Sequence, residues 1–194
     1  MPFQLVFATN NRHKLEEAAA KIDGEIQLLT LKDIGCDEDI EETGSTFKEN
    51  AGIKSHYIYE RFKLNCFGDD SGLEVDALNG EPGVYSARYA GEYGNHKANI
   101  DKLLEKLKTV ENRKARFKTV ISLMWNGEEH FFEGVVEGSI RHERAGTEGF
   151  GYDPIFQPNG YSITFAEMSL DEKNKISHRA KAVEKLIAFL NNIQ

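Results

Sequence analysis

Between residues 115 and 125 the side chains of Phe117, Ile121, Leu123 and Trp125 fall at odd positions, and Asn126-Gly127 follows at once. Alternation of this kind gives a β-strand one shared face, and Asn-Gly is the two-residue turn that folds such a strand back on itself. Return strands are expected over about residues 129–136. A long hairpin is thereby placed in mid-chain. Elsewhere the period changes. Residues 4–9 read as a buried strand, after which Leu15, Ala18, Ala19 and Ile22 recur at helical spacing. Helices also fit about 46–62, capped by Ser45 or Thr46; about 95–108, with Ile100, Leu103, Leu104 and Leu107 inward; and about 177–191, with Val183, Leu186, Ile187 and Leu190 inward. Residues 64–78 alternate weakly around Asp69-Asp70-Ser71-Gly72, which predicts two short strands flanking a tight polar turn. Helices interleaved with strands give an α/β fold, and the hairpin makes its sheet mixed and not all parallel.

The 194 residues fit a single domain, 1–194, or two lobes sharing a core. No internal repeat, low-complexity tract or linker divides them. With 40% hydrophobic and 29% charged residues and no apolar run near ~18 residues, the composition is that of a soluble protein with no membrane association. The first residues lack the basic and apolar regions of a signal peptide, so a cytoplasmic location is expected. Two cysteines, Cys36 and Cys66, are too few for a disulfide framework and read as reduced thiols. The net charge of -8 argues against a general nucleic-acid binder. An anionic substrate would need local positive charge and a divalent metal, and Lys14, Lys54, Lys173 and Arg179 supply the former.

Three polar clusters suit a nucleotide. The first, Thr9-Asn10-Asn11-Arg12-His13-Lys14, joins a strand end to a helix start, where free N–H groups favour an anion. Taken alone it is also what a polar loop with an asparagine cap looks like. The second is Asp69-Asp70-Ser71-Gly72. Together with Glu41-Glu42 it offers hard oxygen ligands, for which Mg2+ is the natural cation. Ser71 can donate a hydrogen bond to a phosphate or sugar oxygen, and it lacks the setting of a nucleophilic serine. The third combines Phe150-Gly151-Tyr152-Asp153-Pro154 with Lys173 and Ser177-His178-Arg179. Here Phe150 and Tyr152 offer ring faces, while Asp153, Lys173, His178 and Arg179 offer directional groups. His178 by itself would also suit a plain helix start.

The strings T-N-N-R-H-K, E-E-T-G-S-T-F-K-E-N-A, D-D-S-G-L-E-V-D-A-L, P-G-V-Y-S-A-R-Y-A-G, G-F-G-Y-D-P-I-F and E-K-N-K-I-S-H-R run in order from residue 9 to residue 179. In this the chain resembles the inosine/xanthosine triphosphate pyrophosphatase family in its bacterial form. The resemblance implies an elongated mixed central sheet flanked by helices, two lobes with a nucleotide-binding cleft between them, and a homodimer. It implies that Asp70 is general base and metal ligand, and that Glu41 or Glu42 is a second ligand. By the same resemblance, residues 9–14 with Lys54 contact the triphosphate, Asp69 supports Asp70, and the third cluster reads the base. The block from Pro82 to Tyr89 would lie near the cleft and the dimer contact, with Arg88 its functional member. The implied reaction is hydrolysis of deaminated purine triphosphates (ITP, dITP, XTP) at the α-phosphorus, giving monophosphate and pyrophosphate. A pyrophosphatase of the same fold for another modified base is the alternative. A non-catalytic nucleotide sensor would not need the Asp69-Asp70 pair.

Overall fold

A computed structural model describes residues 3–22 and 26–193. Strand β1 (Phe3–Phe7) runs parallel to β2 (Ile26–Leu29), with Leu5 opposite Leu28, and parallel to β3 (Cys66–Val75), with Phe7 opposite Phe67. β4 (Lys114–Trp125), β5 (Glu128–Ile140) and β6 (Phe156–Pro158) extend the sheet to six strands in the order β2-β1-β3-β4-β5-β6. β6 is antiparallel to β5, so the sheet is mixed, as the hairpin requires. Asn126 and Gly127, at φ 50° and 91°, adopt the left-handed pair that a type I′ turn needs.

The helices follow their caps. α1 (Arg12–Ala19) starts behind Asn11, whose side chain accepts a bond from the Lys14 N–H at 3.2 Å. It ends before Ile22, so its apolar stripe is shorter than the periodicity implied. α2 (Phe47–Phe62) begins with a capping box in which Thr46 and Glu49 exchange bonds at 3.1 and 3.2 Å. α3 (His96–Lys106) is capped by Asn95, α4 (Leu170–Lys173) is one capped turn, and α5 (His178–Asn192) begins one residue later than expected. Among the described residues, no helix is long and apolar enough to cross a membrane.

Two expectations are corrected. β3 is one continuous strand through Asp69-Asp70-Ser71-Gly72, with no turn there. The return strand runs on to Ile140, well past residue 136.

The chain forms two compact units. Unit 1 comprises Met1–Asp70, Thr119–Gly134 and Arg179–Gln194, and unit 2 comprises Ser71–Lys118 and Val135–His178. Unit 1 buries Leu5, Phe7, Phe67, Ile121, Leu123, Val183, Leu186 and Leu190, with Phe7 and Phe67 stacked at 4.3 Å. A second cluster of unit 1 gathers Val6, Leu31, Ile58 and Met124. Unit 2 buries Leu73, Val75, Ile100, Leu103, Leu107, Phe117, Phe156 and Phe165.

Candidate active site

In unit 1, β3 carries two adjacent carboxylates into a buried setting, Asp69 at 0% exposure and Asp70 at 5%. Buried carboxylates need partners. For Asp69 they come from α1 and α5: Lys14 Nζ lies 2.9 Å from Oδ1, and Arg179 Nε lies 3.4 Å from Oδ2. Arg179 also pairs with Glu17 of α1, so both acids on this buried guanidinium are matched. Asp70 has a partner on α2, where the Asn50 Nδ2–H donates to Oδ2 at 2.9 Å. α2 can lie this close to β3 because residue 68 is glycine. A Cβ there would stand 2.6 Å from the Ala51 carbonyl oxygen and 2.8 Å from Lys54 Cβ. Lys54, buried on the same face, reaches Glu42 Oε1 at 2.5 Å.

The two neighbouring acids are driven in opposite directions. Burial pushes Asp69 up, but Lys14, Arg179 and Lys54 outweigh it and hold the carboxyl well below the usual carboxylate range. For Asp70 burial prevails, helped by nearby Glu42 and opposed by Lys54, Lys14 and the Asn50 bond, so that it is pushed up to about 6. Lys14 is lowered, chiefly by burial. Lys54 is raised: burial pulls it down most strongly, yet Asp69, Glu42 and Asp70 together prevail.

Asp70 and Glu42 are the pair that could hold a metal ion. Their donors are carboxylate oxygens without thiolate or imidazole, which fits a hard cation that keeps waters and takes substrate oxygens. Among the described residues no group of three or more His, Cys, Asp or Glu converges as a closed cage.

In unit 2, Asp153 Oδ2 accepts from the Phe150 N–H at 2.9 Å and from Lys173 Nζ at 2.7 Å, with both charged groups buried. The Lys173 ammonium lies 5.2 Å from the centre of the Phe150 ring and 5.5 Å from that of Phe165. Its stem is delivered by α4, whose Ser169–Glu172 capping box fixes the helix start. His178 stacks on Phe117 at 4.7 Å with 9° between the planes.

The sequence model of the Ham1 family matches residues 5–189. The chain belongs to the Ham1 family. It is 55% identical over 188 residues to the dITP/XTP pyrophosphatase of Christiangramia forsetii, covering 97% of this chain and 99% of that protein. To the dITP/XTP pyrophosphatase of Flavobacterium psychrophilum it is 52% identical, covering 97% and 100%. The solved structure of the Staphylococcus aureus Ham1 protein superposes with a TM-score of 0.90 at 43% identity, covering 98% of this chain and 100% of that one. The family resemblance and the mixed α/β fold with flanking helices read from the sequence both hold.

Against this Ham1 framework, the structure sorts the residues singled out in the sequence. It brings Lys14, Lys54, Glu42, Asp69, Asp70 and Arg179 together in unit 1. Thr9 and Asn11 shape the loop, the Asn11 N–H donating to Thr9 Oγ1 at 3.2 Å, and Asn10 is exposed. Arg12 is turned outward onto Glu16 at 2.8 Å, and His13 lies 3.9 Å from the same residue. Glu41 is exposed, whereas Glu42 is the one that meets Lys54. Ser71 is half-buried on β3. In unit 2, Phe150 and Asp153 meet Lys173, and Gly151 takes the left-handed turn between Phe150 and Tyr152 at φ 62°. Two placements differ from the expectation of a shared base reader. Tyr152 is 3% exposed within the unit 2 core, donating its hydroxyl to the Ser86 carbonyl at 2.9 Å. Arg179 belongs with Asp69 and Glu17 in unit 1.

Asn50 and Glu17 were not singled out in the sequence. Asn50 stands four residues before Lys54, on the same helical face, which is the signal that could have found it.

Proposed function

We propose that residues 1–194 act as one nucleoside triphosphate pyrophosphatase domain. It hydrolyses dITP, ITP and XTP at the α-phosphorus to the monophosphate and pyrophosphate, with Mg2+ as cofactor. The observation that carries this reading is the divergence of two adjacent buried carboxyls, one held as an anion by Lys14 and Arg179, the other pushed up to about 6. Two acids driven apart in this way mark a structural anion and a proton acceptor. The names of the pyrophosphatase relatives point to the same chemistry.

In this reading Asp70 orients the attacking water and takes its proton as the oxygen adds to the α-phosphorus. Lys14 and Lys54 draw the triphosphate oxygens in and offset the charge that moves onto the departing pyrophosphate. At the start of α1, Asn10 offers its backbone N–H, Thr9 its hydroxyl and Asn11 its side-chain amide N–H, and Ser71 donates to a phosphate or sugar oxygen. Magnesium, held by Asp70 and Glu42, would supply Lewis-acid charge neutralisation on the phosphoryl oxygens.

In unit 2 the Phe150 ring gives a stacking face worth ~1 to 3 kcal/mol. Lys173, fixed by Asp153, donates toward a 6-oxo purine. Adenine, with an amino group at that place, would leave the donor buried and unpaired, which rejects it strongly. The homodimer implied by the family resemblance and the cytoplasmic location expected from the sequence belong to the same reading.

The test is Asp70→Asn. The amide keeps the size and the bond from Asn50 but cannot take a proton, so turnover is expected to fall ~10² to 10⁴-fold with nucleotide binding intact. A purified variant retaining more than about a tenth of wild-type turnover would remove Asp70 from the role of base.

A further inference from the structure

Asn50 is fully buried, and its carboxamide uses both ends. Its Oδ1 accepts from the Gly44 N–H at 2.8 Å, while its Nδ2–H donates to Asp70 Oδ2 at 2.9 Å. An amide presents a donor and an acceptor in a single rigid plane without carrying charge. The bond to Asp70 is shut away from water and cannot be exchanged for a solvent one, while the bond from Gly44 is part-buried. The loop end of this link is equally constrained. A Cβ at residue 44 would stand 2.7 Å from Asn50 Oδ1 and 2.6 Å from Glu49 Cβ, so the loop closes onto the helix start only with glycine there. Two residues before Gly44 is Glu42, whose carboxylate is tied by Lys54 to the same helix, one turn beyond Asn50.

We propose that Asn50 is a positioning residue: its amide joins the loop bearing Glu42 to Asp70, fixing the orientation of the Asp70 carboxylate and its separation from Glu42. It touches no reacting atom and acts through the two carboxylates. The proposal rests on the reading of Asp70 and Glu42 as the cation pair. It adds that their spacing is set by one buried amide and one side-chain-free loop position.

The experiment uses the full chain with Asn50→Ser, whose hydroxyl is too short to span both partners, and Gly44→Ala, which presses on Asn50 Oδ1. Mn2+ affinity of the nucleotide-free protein is measured by EPR titration, alongside kcat, KM for dITP and Tm. For Asn50→Ser, Mn2+ affinity is expected to weaken ~10 to 100-fold, as for other residues that support a metal ligand. kcat should fall by a similar factor, while KM stays within about threefold. Gly44→Ala should give the same pattern more weakly. If both variants lose Tm but keep wild-type Mn2+ affinity and kcat, Asn50 is merely structural and the proposal is overturned. Should Asn50→Ser not fold, an unchanged Mn2+ affinity and kcat in Gly44→Ala overturn it equally. A wild type that binds no Mn2+ would sink the cation reading itself, and the kcat-against-KM split in the variants would then decide the orienting role alone.

Discussion

Removing the charge of Asp70 should make the metal-free protein more stable, although the same change should lower turnover if Asp70 is the proposed base. The folded chain holds this carboxyl at about 6 where the ordinary value is 3.8, with burial the main cause. Above pH 6 both folded and unfolded chains carry the charge, and folding must strip its water. Below the unfolded value both are protonated and that cost vanishes. The shift of about two units sets a ceiling of roughly 3 kcal/mol on the cost. That shift already nets the attraction of Lys54 and Lys14 against burial; asparagine keeps an acceptor for the Asn50 N–H, but its own amide N–H groups must find partners inside the protein, which returns part of the gain. A net stabilisation of about 1 to 2 kcal/mol, or roughly 2 to 8 °C in Tm, is expected for Asp70→Asn at pH 8. The assay is calorimetry in excess chelator from pH 8 to pH 4.5. The gap between variant and wild type should close as pH falls through 6, to about a third of its full size at pH 4.5. A variant less stable than wild type at pH 8, or a gap independent of pH, would show that burial of the Asp70 charge does not destabilise the fold.

Arg179→Ala should cost about 3 to 5 kcal/mol in urea unfolding, because Glu17 and Asp69 are left buried without their shared cation. Arg179→Lys should recover only part of this, since an ammonium cannot span both acids as the guanidinium fork does. Lys173→Met should narrow the kcat/KM preference for dITP over dATP by ~10²-fold or more, whereas equal losses on both nucleotides would make Lys173 a packing residue only. Burial pushes the Cys66 thiol up to about 12, so this group should not react with a disulfide reagent in the native protein at pH 8 and should react once unfolded.

Where the deciding chemistry is local, the sequence was readable. The Thr46–Glu49 box begins α2 and Asn126-Gly127 turns the hairpin because each signal lies within a few residues of what it controls. β3 was misread for the opposite reason. Asp-Asp-Ser-Gly is turn chemistry by composition, but the cations that make Asp69 acceptable inside a strand arrive from Lys14, 55 residues earlier, and Arg179, 110 residues later. The same limit separated His178 from Arg179. Adjacent at a helix start, they point roughly 100° apart, so one stacks on Phe117 while the other turns to Asp69 and Glu17. Asn50 was hidden because an asparagine inside a helix reads as a weak helix former until its two partners are seen. The carboxylates, lysines and aromatic of the site were legible as residue types; which acid is neutralised and which is left to act was a matter of tertiary placement.

Hydrolysis at the α-phosphorus of a deaminated purine triphosphate can be followed by running the reaction in H2-18O and locating the label in the products. With dITP and Mg2+, the expected products are deoxyinosine monophosphate and pyrophosphate, with the 18O in the monophosphate. Release of orthophosphate and the diphosphate, or 18O found in the pyrophosphate, would contradict hydrolysis at the α-phosphorus.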